Sequence, residues 1–188
     1  MKRNKLLLFA ATLFSLFVFN SCKKEATPET NDEEVITTMK LTFTPVGGGT
    51  AQVFQFDDPD GPGGTAPTKD NIVLSASKSY SVSVQLLNKT TNPVSDITTE
   101  VEAESEAHRF YYEPTSASNI SVSGLDLDPN GIPVGINSVW ATGAAGTGQI
   151  TVTLRHYPGN PPDKALADPV NSTKSGTDIT VTFNTTVN

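Results

Sequence analysis

The 188-residue chain contains a single cysteine, Cys22, so no internal disulfide can form and any domain must be held by core burial alone. Dithiol redox chemistry is excluded with it. Histidine is almost as scarce, with two residues, and there is one tryptophan. Basic side chains are outnumbered, 13 Lys and Arg against 20 Asp and Glu, which argues against a nucleic-acid partner because a polyanion is repelled by such a surface. The chain has no Gly-x-Ser-x-Gly elbow, no Gly-rich loop ending in Lys before a helix and no His-Glu-x-x-His. Nucleophile, phosphate-cradle and zinc-protease chemistry therefore have no recognisable seat, and the chain is expected not to be an enzyme. Acidic residues are abundant enough for glycoside cleavage, but nothing selects a pair. After residue 22 no apolar run is long enough to span a bilayer.

What is present begins at the N-terminus. Lys2, Arg3 and Lys5 precede an apolar run from Leu6 to Phe19 that is broken only by Thr12 and Ser15. That is the layout of a secretory signal peptide, and it is too short to be a comfortable membrane span. Ser21-Cys22, directly after the run, resembles the lipobox of bacterial lipoproteins. The resemblance implies a signal peptide over residues 1–21, cleavage before Cys22 and lipidation of Cys22 with several acyl chains, enough for durable attachment. Cys22 is then the anchor to the membrane and not a catalytic thiol. Loss of Lys2, Arg3 and Lys5 leaves a mature chain of about −10. Behind Cys22, the residues from Lys23 to Glu34 carry one aliphatic side chain, Ala26, too little to offset the entropy of ordering. Residues 22–34 read as a flexible acidic tether.

From Val35 the pattern alternates. Met39, Leu41 and Phe43 share one parity with Val35, and Thr and Lys fill the other. The same period returns in Tyr80, Val82, Val84 and Leu86, in Ile150, Val152 and Leu154, and in Ile179, Val181 and Phe183, each the mark of a half-buried strand. Shorter candidates are 52–56, 72–76, 108–113, 120–123 and 138–141. Gly, Pro, Asn and Asp clusters such as Gly47-Gly48-Gly49 and Asn130-Gly131 separate them. These features predict an all-β domain over residues 35–188 with one short helix: a single immunoglobulin-like antiparallel β-sandwich of about seven to nine strands, with Trp140 in its core. The helix is expected from Ile97 to Ala107, capped by Asp96, with Ile97, Val101 and His108 on one face.

Two constellations could carry chemistry. Asp126, Asp128 and Asn130, followed by Gly131, resemble the first half of a calcium loop, in which oxygens at alternate positions converge on a hard cation. The twelfth position is Asn137, where such a loop carries a bidentate Glu, and a hairpin turn uses the same residue types. Asp57-Asp58-Pro59-Asp60-Gly61 poses the same alternatives. The second constellation is Glu104, His108 and His156. Glu104 lies one helical turn before His108, and His156 has the inward parity of Ile150, Val152 and Leu154, so a carboxylate and two imidazoles could meet around zinc or a similar divalent metal.

Taken together, Ser21-Cys22, the tether and the run Glu33-Glu34-Val35-Ile36-Thr37-Thr38 resemble small outer-membrane lipoproteins of Bacteroides-like bacteria, some of them encoded beside nutrient-uptake receptors. The resemblance implies a lipid-anchored protein of the bacterial outer membrane, either surface-exposed or facing the periplasm. It would be a ligand- or metal-binding accessory to an outer-membrane transporter. The alternative is a structural or adhesive surface module without a small-molecule ligand, recognisable by smooth faces or an open strand edge.

Overall fold

A computed structural model describes residues 34–188. The expected signal peptide, Cys22 and the expected tether before Glu34 lie outside the described residues. The described chain is mostly β, with one short helix and two sheets. Its strands are β1 (Thr38–Pro45), β2 (Gln52–Asp57), β3 (Thr68–Lys69), β4 (Ile72–Leu74), β5 (Ser79–Asn88), β6 (Ser95–Asp96), β7 (His108–Pro114), β8 (Ile120–Ser123), β9 (Asn137–Thr142), β10 (Gly146–His156) and β11 (Gly176–Val187). The helix α1 spans Ile97–Ala103. Eleven strands thus replace the seven to nine expected among these residues; β3 and β6 have two residues each, too few for alternation to reveal.

One sheet runs β3-β2-β1-β5-β9-β8, with β6 also paired to β5, and the other runs β4-β11-β10-β7. The pairings are antiparallel except that of β4 with β11, which corrects the expectation of a purely antiparallel arrangement. That parallel contact is extended past the strand ends, where the Asn188 amide donates to the Leu74 carbonyl and the Ala76 amide to the Asn188 carbonyl.

A single apolar core fills the space between the sheets. Leu41, Phe43, Val82, Val84, Val152, Leu154, Val181 and Phe183 are all buried in it, as their parity requires, each side chain of this kind contributing about 1.5–3 kcal/mol. Trp140 is fully buried and meets Phe43 edge to face at 5.0 Å between ring centroids and Tyr112 at 5.6 Å. Its indole N–H donates to Ser138 Oγ at 3.0 Å, which explains why a serine occupies an inward position.

Alternation misleads in two places. Thr38 and Thr153, expected to face solvent, are buried, whereas Val35, on the inward parity, is exposed. Thr38 lies under a salt bridge: its hydroxyl donates to Asp57 Oδ1, which also accepts from Lys89 Nζ at 2.6 Å. Thr153 sits on the outer face of the four-stranded sheet beside Tyr111, where the segment 157–175 is fastened down. Arg109 donates to the carbonyls of Ala165, Leu166 and Asp168, Tyr111 to that of Asp168, and Arg155 to that of Ser172.

Candidate metal centre

The helix α1 sets one wall of the site. Asp96 accepts from the Thr98 amide at 3.0 Å, and Thr98 Oγ1 accepts from the Leu86 amide at 2.8 Å, so the first turn is capped and tied to β5. Ile97 and Val101 turn inward. The helix ends at Ala103, four residues short of the expected Ala107, and His108 is the first residue of β7. Strand pairing overrides the local helix propensity here: residues 108–114 take up β10 as a partner, and the Phe110 amide also donates to the Val134 carbonyl at 2.7 Å.

Despite that correction, Glu104, His108 and His156 do come together. His108 lies directly opposite His156 across the β7–β10 ladder, and both point to the inner side. Their rings stack at 4.7 Å between centroids with 15° between planes. One ligand atom from each of Glu104, His108 and His156 lies within 4.8 Å of the other two. His108 is wholly buried, His156 half-buried and Glu104 exposed. The trio therefore runs from the interior outward into a cleft of about 480 Å³, lined by Glu34, Glu104, Glu106, His156, Tyr157 and Asn160 among others.

The protonation of His108 follows from its neighbours. Its Nδ1 stands 3.1 Å from the Glu104 backbone carbonyl; a carbonyl only accepts, so Nδ1 carries the hydrogen and Nε2 presents its lone pair. Burial pushes the pKa down to about 4, with His156 and Lys164 adding to the effect and the Glu104 carbonyl opposing it. A neutral imidazole with one nitrogen bonded to a carbonyl and the other bare is the form in which metal-binding histidines are held. Stacked rings aim their lone pairs nearly side by side, so closing on one ion requires a ring to turn. The half-buried His156 is the freer of the two. On the cleft wall, Glu34 has its carboxyl pushed above the ordinary range by burial and by Glu100 and Glu104.

The second constellation folds differently from a cation cage. Asp126 Oδ1 accepts from the Asn137 amide, and Asp128 Oδ1 accepts from the amides of Asn130 and Ile132. Leu127 and Pro133 form a bridge, and Gly131 supplies a φ of +77°, so the segment is a hairpin turn. Asn130 donates to Glu106. The other oxygen of Asp128 is 2.8 Å from Lys164 Nζ, both side chains being buried. Lys164 also donates to the carbonyls of Ser105 and His108. An ammonium thus stands where a bound cation would. Burial works against the charge on Asp128, yet Lys164 and the two amides hold its carboxyl below the usual range. Through these bonds Lys164 fastens the 157–175 segment to the hairpin turn and to the start of β7.

One residue of this neighbourhood escaped sequence reasoning. In the β10–β11 ladder Leu154 pairs with Ile179 but Arg155 with Thr177, so Asp178 is the extra residue of a β-bulge. Strict alternation with Ile179, Val181 and Phe183 sends Asp178 outward; the bulge turns it in, with Oδ2 3.7 Å from His108 Nε2 and both side chains fully buried. No local sequence signal marks a bulge at that position. No protein-family model, curated protein or solved structure matches this chain.

Proposed function

We propose that this protein is a lipid-anchored lipoprotein of the bacterial outer membrane whose domain holds a divalent transition metal, zinc being the first choice, as an accessory to nutrient uptake through a membrane transporter. The observation that carries the metal reading is the meeting of Glu104, His108 and His156 from separate elements. The buried imidazole among them is already neutral and correctly protonated for a metal ligand. Zinc titrated calorimetrically into the full-length protein in detergent at pH 7.5 should bind one equivalent, and His108→Ala or His156→Ala should abolish it. Unchanged affinity in both variants overturns the reading and leaves a structural module as the better one.

Strand order supports the finer assignment to an immunoglobulin-like sandwich. The sequence β5-β9-β8 in one sheet and β7-β10-β11 in the other corresponds to B-E-D facing C-F-G, and β4 lies parallel to the last strand. The hairpin β1-β2 extends the first sheet beyond β5. Attachment through Cys22 rests on the lipobox resemblance, and Cys22→Ala should move the protein from the membrane fraction to the soluble one. Sedimentation with membranes after a high-salt wash would refute the anchor.

A further inference from the structure

We infer that the centre is an open one whose remaining coordination position takes, from the cleft, a small cationic ligand that donates a neutral imidazole nitrogen; the inference rests on the metal reading above. The ligand atoms that come together are three, one short of the four that zinc takes. His108 reaches them from the interior, whereas Glu104 and His156 line the cleft, so the uncovered side of an ion held by all three is the cleft side. His156 Nδ1 is buried without a hydrogen bond, which leaves that ring nitrogen uncommitted. At about 480 Å³ the cleft holds many times the roughly 30 Å³ of one water molecule, room for a small organic ligand.

Charge decides the class of ligand. Two neutral imidazoles and the Glu104 carboxylate leave a divalent ion with one net positive charge. Glu34 and Glu106 stand against it on the cleft wall, Glu100 acts electrostatically on Glu34 from α1, and no Lys or Arg of the described residues lines the cleft. Carboxylates therefore outnumber the residual charge, so an anionic chelate is repelled and a cation is drawn in. The donor atom itself must be neutral while a second group carries the charge. Near neutral pH an imidazole meets the first need and an ammonium the second, their ordinary pKa values being about 6.5 and 10.4, and imidazole nitrogen suits zinc. Ala103, Ala107 and Pro162 give the carbon frame of such a molecule an apolar wall.

Cobalt(II)-loaded full-length protein in an uncharged detergent tests this, because the visible bands of cobalt shift when its outer ligand changes. Three probes share one donor and differ in charge: imidazoles bearing an aminopropyl, a propyl or a carboxyethyl group on one ring nitrogen. The aminopropyl probe should shift the bands with an affinity about 5–10-fold above that of the propyl probe, and the carboxyethyl probe should bind weakest. In the cobalt-saturated double variant Glu34→Gln and Glu106→Gln the three affinities should converge. High salt should flatten the order in the wild type, since the cleft is open to solvent ions. Equal affinities of the three probes in the wild type overturn the inference while the metal reading stands. So does an order that survives both the double substitution and high salt, and so do cobalt bands that no probe shifts. Failure of the wild type to take up cobalt overturns both readings.

Discussion

Along β7 and β10 the inward-facing pairs run from Tyr112 and Val152 through Phe110 and Leu154 to His108 and His156, and the chemistry changes at the last step. The first two pairs are apolar apart from the Tyr112 hydroxyl, which donates to the Gly135 carbonyl. The histidine pair needs polar partners, and around His108 the molecule supplies them from two other places, the Glu104 carbonyl after α1 and Asp178 from the β11 bulge, while Lys164 donates to the His108 backbone carbonyl. The comparison teaches that one alternating pattern can deliver two kinds of interior. The apolar part is stabilised by burial in proportion to area, whereas the ionisable end is stabilised only while each buried charge or lone pair keeps its counterpart.

That contrast can be broken from either side. At the apolar end, Trp140→Ala should cost about 3–5 kcal/mol, since the fully buried indole packs on Phe43 and Tyr112. Chemical denaturation should give the same loss at pH 5 and pH 8. At the ionisable end, Lys164→Met should cost about 3 kcal/mol by stranding the buried Asp128 carboxylate. This cost should shrink as pH falls into the carboxylate range, because protonation removes the stranded charge. A pH-independent loss in Lys164→Met would erase the distinction between the two regions.

Metal-free protein should also show the histidine end in its own pH dependence. The folded pKa of His108, about 4, lies below the ordinary histidine value of about 6.5, so the unfolded chain takes up the proton first as pH falls. The associated stability is complete above the ordinary value, declines between the two and levels off below pH 4, a total on the order of 3 kcal/mol. His108→Gln should remove that slope in urea melts followed between pH 7 and pH 4. A slope that survives the substitution would assign it to other groups.

The smallest effects test parity itself. Val152→Ala should cost about 1–3 kcal/mol, whereas Thr151→Ala, on the outer face with its hydroxyl 2.9 Å from that of Thr182, should stay within about 1 kcal/mol. Equal losses at both sites would mean that the alternation does not report burial in this sheet.

Much of the fold was legible in the residues because alternation is a local property. Phe43, Val82, Val152 and Phe183 declare their inward direction through their own neighbours, and Asp96 declares a helix start. Parity also told that His156 points inward. What the sequence by itself determined is therefore the two-faced strands, the capped helix and the chemical types at the site. Tertiary structure alone decided that the helix would stop at Ala103, that β7 would set His108 directly opposite His156, that Thr153 would be buried, and that Lys164 would meet Asp128. It also decided, through one extra residue in β11, that Asp178 would face His108. Each of these depends on which distant strand supplies the partner and in what register, and that is fixed by the packing of both sheets around one core, beyond the reach of any local pattern.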